Sequence, residues 1–193
     1  MSKIVNKLKI TTLGACFTVA LTTGVMSTTV SAANDSNEVR VAQAAKINLK
    51  QAIDIAKKQA SGTLISAEFD DDDSDSQSGG GVYEIEFSTD STNYELKVDA
   101  ITGKIVKSET ERLDSGDIND YKTQQQAKIK IMDAISIAEK QTSGGVIEIE
   151  FENDRDYADH HTYYEIKVLK GDQIIELNVD ADTGAVFDTK VKK

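Results

Sequence analysis

Most of this chain is written twice, and that limits it to folds a small repeated unit can build. Ile47 to Gln59 returns as Ile129 to Gln141, 82 positions later, and Glu68-Phe69 returns as Glu150-Phe151 at the same offset. Val98-Asp99-Ala100-Ile101-Thr102-Gly103-Lys104-Ile105 returns as Val179-Asp180-Ala181-Asp182-Thr183-Gly184-Ala185-Val186, 81 positions later. A helix signal, a strand signal and a turn signal recur in one order at nearly one spacing, as two copies of one supersecondary unit require.

Each copy reads the same way. Leu49, Ala52, Ile53 and Ala56 fall at helical spacing and are repeated by Ile131, Ala134, Ile135 and Ala138. Asn48 is placed as a helix N-cap, and Gly62 and Gly144 stand where the helices should stop. Ile55 and Ile137 lie at the margin of the apolar face, placed to widen the contact with the sheet or to meet the other copy. Strict alternation follows, the mark of strands with one buried face. Ile65, Ala67 and Phe69 match Ile147, Ile149 and Phe151; Tyr83, Ile85 and Phe87 match Tyr164, Ile166 and Val168; Tyr94, Leu96 and Val98 match Ile175, Leu177 and Val179. A short fourth strand begins after Gly103 and after Gly184. Tyr83, Tyr94, Tyr163 and Tyr164 read as sheet residues. The other face carries Glu84, Glu86, Glu95 and Lys97 and should meet water or a partner.

The expected fold is therefore α+β, with two tandem and independent modules, each one helix on an antiparallel sheet of three or four strands. Module one spans 47–109 and module two 128–193; residues 34–46 are expected as a mobile tail and the hydrophilic stretch 110–127 as a linker. The closing Asp-x-x-Thr-Gly turns have a physical logic. Asp99 and Asp180 accept hydrogen bonds from amides just downstream, and Gly103 and Gly184 take the positive φ that reverses the chain.

Helix, about four strands, a variable loop between the first two, and a closing Val-Asp-Ala-x-Thr-Gly-x-Ile/Val together resemble the PepSY domain. That domain occurs in the propeptides of thermolysin-like metallopeptidases and in a spore-germination protein. The resemblance covers nearly all of both copies. It implies a regulatory or inhibitory role towards a co-secreted metallopeptidase outside the cytoplasm, and it brings no catalytic residues.

Residues 1–33 read as an export signal. Lys3, Lys7 and Lys9 open it, an apolar threonine-rich stretch from Ile10 to about Met26 follows, and small residues end it, with Val30/Ala32 or Ser31/Ala33 filling the cleavage positions. Cleavage after Ala33 is favoured, which makes the protein secreted, with envelope association as the alternative. Leu13-Gly14-Ala15-Cys16 resembles a lipoprotein cleavage site, but only six residues separate Lys9 from Cys16. Without the signal the chain has no cysteine, hence no disulfide and no thiolate nucleophile. Its loss leaves 19 basic residues against 33 acidic ones, a formal −14. That balance argues against nucleic acid and anionic membranes and suits cationic partners.

No catalytic, cofactor or metal residue is assigned. A zinc peptidase needs two histidines on one helical face with a glutamate between them, whereas His160 and His161 are adjacent, in a segment that reads as a solvated loop. Gly-x-Ser-x-Gly is absent. Asp70-Asp71-Asp72-Asp73-Ser74-Asp75, and Glu152, Asp154, Asp156 and Asp159 in the matching loop, offer hard oxygens suited to calcium. The EF-hand register fails, since Ser76 and Val82 stand where glycine and glutamate belong, so these loops are expected to be solvated and at most weak calcium ligands. An acidic envelope- or cation-binding module is the alternative to peptidase regulation.

Overall fold

The computed structural model describes residues 31–71, 74–154 and 156–192, with backbone alone for 31–36. Residues 1–30 of the expected export signal, Cys16 among them, and Asp72 and Asp73 of the acidic run lie outside the described residues. The elements are α1 (Ser31–Ala44), α2 (Leu49–Ala56), β1 (Thr63–Asp70), β2 (Val82–Ser88), β3 (Thr92–Asp99), β4 (Ile105–Arg112), α3 (Ser115–Gln126), α4 (Ile131–Thr142), β5 (Gly145–Asn153), β6 (Thr162–Lys170), β7 (Gln173–Asp180) and β8 (Val186–Val191).

The α+β class holds, but the two sheets are not separate. All eight strands form one antiparallel sheet in the order β4-β3-β2-β1-β5-β6-β7-β8. Each copy on its own leaves its first strand as an open edge, a row of unpaired amides and carbonyls. Here β1 and β5 close each other's edge through Ser66↔Glu150, Ala67↔Ile149 and Glu68↔Glu148. Ala67 and Ile149 are equivalent in the 82-residue repeat, so a pseudo-twofold axis passes through this pair.

α2 and α4 cover one face of the sheet. Leu49, Ala52, Ile53 and Ala56, with Ile131, Ala134, Ile135 and Ala138, are buried in one core with Ile85, Phe87, Leu96, Val98, Ile149, Ile166, Val168, Leu177 and Val179. Each buried Val, Leu, Ile or Phe among them contributes about 1.5–3 kcal/mol, and each alanine less. Lys50 of α2 and Glu139 of α4 pair at 2.5 Å across the module boundary. Tyr83 and Tyr164 donate their hydroxyls to the carbonyls of Ile47 and Ile129, tying equivalent strands to equivalent helix entries. Ile55 and Ile137 each lie against the turn glycine of their own module, Gly103 or Gly184.

Several local expectations need correction. The alternation in β1 and β5 is broken by bulges at Leu64/Ser66 and Val146/Glu148, so Leu64 and Val146, not Ile65 and Ile147, face Phe87 and Val168. Asn48 caps α2 in a reciprocal pair with Gln51, as its type suggests. At the end of α4 it is Ser143, at φ 58°, that turns left-handed. Gly144 is instead held small, because a Cβ there would lie 2.6 Å from the Leu169 carbonyl oxygen. The expected mobile tail contains most of α1, whose Val39, Val41 and Ala42 are buried in the common core; Gln43 also donates to the Gly171 carbonyl. The expected linker contains α3, opened by a reciprocal Asp114–Asp117 cap. Buried Gln124 of α3 donates to the carbonyls of Leu64 and Ile65, which lie at the β1 bulge.

The carboxylate face as candidate functional site

The sheet face away from α2 and α4 is organised in rows. Pairing partners at one level are Glu109, Glu95, Glu86, Ser66, Glu150, Glu165, Asn178 and Asp188, one per strand from β4 to β8. At about 4.8 Å per strand this row spans roughly 34 Å. It holds six carboxylates and no basic residue. The next level reads Lys107, Lys97, Glu84, Glu68, Glu148, Lys167, Glu176 and Lys190. Its lysines mostly compensate their own row: Lys97 lies 3.0 Å from Glu84 and Lys167 2.5 Å from Glu148. The ends of the first row are reached by Lys107, 3.2 Å from Glu109, and by Lys190, 2.7 Å from Asp188.

The helix-facing positions repeat between copies, as Tyr83/Tyr164, Ile85/Ile166 and Leu96/Leu177 show, whereas this face repeats only in part, at Glu68/Glu150, Glu84/Glu165 and Glu95/Glu176. Glu86 stands where module two has Lys167, Lys97 where it has Asn178, and Ser66 where it has Glu148. Two identical sites are therefore not what the repeat builds. It builds one composite face.

Of the residues expected to point outward, Glu84, Glu86 and Glu95 do share this face, with carboxylate oxygens within 4.8 Å of one another. They are less solvated than expected, Glu95 being 8% exposed. A cleft of about 260 Å³, lined by Asn93, Glu95, Glu109, Thr110 and Glu111, lies at this end of the row. Glu68, Glu148 and Glu150 form a second close triple astride the β1–β5 seam. The alternation in the sequence puts each of them on the outer face, but only the pairing of β1 with β5 brings them together.

Burial and mutual repulsion hold protons on this face. Glu68 is pushed up to about 8 by burial, then by Glu148, Glu150 and Glu84, with Lys167 opposing. Glu86 rises to about 7 through burial, despite the hydrogen bond from Asn93. Glu95 and Glu165 are raised as well, again mainly by burial. Burial would lower Lys167, but its attraction to and hydrogen bond with Glu148, together with Glu38 and Glu150, outweigh that and raise it.

The acidic loops behave differently. Asp71 accepts from the Asn37 amide, Asp75 lies 3.7 Å from Lys107 and 3.9 Å from Lys97, and Asp154 accepts from the Tyr163 hydroxyl and the Asp156 amide. The groups of three carboxylates close enough to share an ion lie on the sheet, among the described residues, and not in these loops. His160 is also not solvated as expected. Its Nδ1 lies 2.6 Å from Asp180 Oδ2, and its ring stacks on Phe187 with centroids 3.9 Å apart. His161 is exposed. Tyr157 and Tyr163 complete this aromatic group, edge-on to Phe187.

The turn aspartates act as read from the sequence. Asp99 Oδ1 accepts from the Ile101 and Thr102 amides and the Thr102 hydroxyl at 2.8–3.1 Å. Asp180 Oδ1 accepts from Asp182 and Thr183 in the same way at 2.7–3.1 Å. Gly103 and Gly184 follow at φ 67° and 75°. The remaining carboxylate oxygen is capped differently, by the Ser78 amide in module one and by His160 in module two. Burial would raise Asp180, but its hydrogen bonds from His160, Thr183 and Asp182 outweigh that and bring it down to about 2.

No described helix is long and apolar enough to cross a membrane. Comparison with curated proteins gives no match. Among solved structures, a protein provisionally described as a lipoprotein (CD1622) from Clostridium difficile 630 is similar at 27% identity and a TM-score of 0.46, over 80% of this chain and 99% of that one. The family model for PepSY, the "Peptidase propeptide and YPEB domain", matches residues 46–109 and 128–190. Helix, bulged first strand, Asp-x-x-Thr-Gly turn and closing strand thus occur twice within the two matched segments, and the chain belongs to the PepSY family as a tandem pair of these domains.

Proposed function

We propose that this is an exported, non-catalytic protein that docks on an extracellular peptidase and restrains it, using the open sheet face as its contact surface. The observation that carries the reading is the row of six carboxylates from Glu109 to Asp188, which crosses all eight strands without a basic residue of its own. A face with an excess of carboxylates over its four lysines attracts a partner rich in lysine and arginine, and attraction of that kind weakens with salt. Family membership supports the choice of a peptidase as that partner. The chain itself should hydrolyse no peptide, ester or glycoside.

The test is inhibition of a metallopeptidase purified from the same culture supernatant. Wild-type protein should slow it, less so at high salt. The triple change Glu86→Gln, Glu150→Gln and Glu165→Gln should raise the inhibition constant by tenfold or more while the protein stays folded. Wild-type protein that binds no peptidase from its supernatant would remove the proposal. A triple variant that inhibits as well as wild type would move the contact to an edge strand or to the loops. Cation binding is a second reading, favoured by the two carboxylate triples on the sheet. It predicts a calcium-dependent melting shift that Glu68→Gln and Glu86→Gln together abolish.

A further inference from the structure

The junction of the two modules is the thinnest part of the sheet. β1 and β5 share three register pairs, against seven between β1 and β2 and eight between β5 and β6. On the outer face two of these three pairs bring acidic residues to the seam. Glu68 stands directly opposite Glu148, and Glu150 opposite Ser66. The carboxylate oxygens of Glu68, Glu148 and Glu150 lie within 4.8 Å of one another. Like charges placed opposite each other across a strand pair destabilise it, so three ionised carboxylates here would oppose the contact they sit on.

We propose that the β1–β5 seam is a proton-closed joint: Glu68, Glu148 and Glu150 let the modules pair while they retain a proton among them, and loosen the pairing when it leaves. Glu84 of β2 adds to the repulsion on Glu68, and Lys167 of β6 opposes it from 2.5 Å beyond Glu148. Glu38 of α1 bears on Lys167, and Glu86 is coupled to Glu150 from β2. At Glu68 the opposing effect of Lys167 does not cancel burial and the repulsion from Glu148, Glu150 and Glu84. The buried position of Glu68 between its neighbours raises its proton affinity in the closed seam, and opening returns it to water, where it releases the proton. Opening is therefore favoured as the pH rises.

Opening of the seam need not unfold either module. Each keeps its own four-stranded sheet and its own helix. Lys50–Glu139 between the helices and Gln124 of α3 on β1 still hold the halves together. The joint thus sets how rigidly the two halves of the composite face are aligned. It works within the chain, whatever docks on that face.

Amide hydrogen exchange on the purified chain tests this. Exchange at residues 66–68 and 148–150 is divided by the intrinsic rate of each amide at the same pH, which cancels the intrinsic pH dependence. Loss of one proton on opening makes this ratio climb on the order of tenfold per pH unit between pH 6 and 8. Glu68→Gln should flatten the climb, and Asp90→Asn, at an exposed turn, should leave it intact. A flat ratio in the wild type overturns the proposal, as does a climb that Glu68→Gln leaves unchanged.

Discussion

Two kinds of carboxylate divide the work at the level of single residues. Asp99 and Asp180 each gather three hydrogen bonds on one oxygen and are held below the usual carboxylate range. Such a group stabilises the fold fully above its unfolded value near 4, and loses that contribution as the pH falls through its folded value, about 2 for Asp180. Asp180→Asn keeps an acceptor for the turn but loses the charge that faces His160. We expect a cost of about 1–2 kcal/mol at pH 6 and a flatter acid limb between pH 4 and 2, read from urea unfolding at each pH. The turn was readable in the sequence because aspartate, threonine and glycine at that spacing have one use. His160 was not readable, since its partner Asp180 lies 20 residues away and its stacking partner Phe187 on a different strand. Glu68 and Glu86 run the opposite way: raised above the unfolded value, they contribute fully below about pH 4.5 and lose that contribution as the pH climbs towards 8 and 7 respectively.

Among the elements, those with their own apolar period were visible and those without it were not. α2 and α4 repeat Leu49/Ile131 through Ala56/Ala138 and were located residue by residue. Among the described side chains, α1 buries Val39, Val41 and Ala42 and α3 buries Gln124, and neither set makes a helical stripe like that of α2 or α4. The Asp114–Asp117 cap was the one local sign of α3. The bulges were hidden because Ile65 and Ile147 satisfy the alternation as well as Leu64 and Val146 do. A bulge leaves backbone groups outside the ladder, and Gln124 bonds the two carbonyls at the β1 bulge. Gln124→Leu should therefore destabilise the chain by about 1–3 kcal/mol in urea unfolding, since it strands buried acceptors. An unchanged midpoint would mean that α3 is not a strap on β1.

For the whole molecule, the pH responses combine. The turn aspartates favour pH above 4 and the face carboxylates favour pH below about 7, so the melting temperature should peak near pH 4.5–5 and decline towards pH 8. Most proteins peak between about pH 5 and 8; a plateau to pH 8 would mean that the face carboxylates ionise freely. The internal repeat pointed to two equal modules, and the family confirms the pair. It did not reveal that they share a sheet, because edge pairing through Ala67 and Ile149 uses backbone groups that every residue carries. That pairing turns two unlike outer faces into one surface. The most direct measurement is chemical-shift mapping of the labelled chain as the supernatant metallopeptidase is added. The account predicts perturbed amides along one line through both modules, at Glu86, Ser66, Glu150 and Glu165, with α2 and α4 unaffected. Perturbations confined to one module, or centred on the helix face, would contradict it.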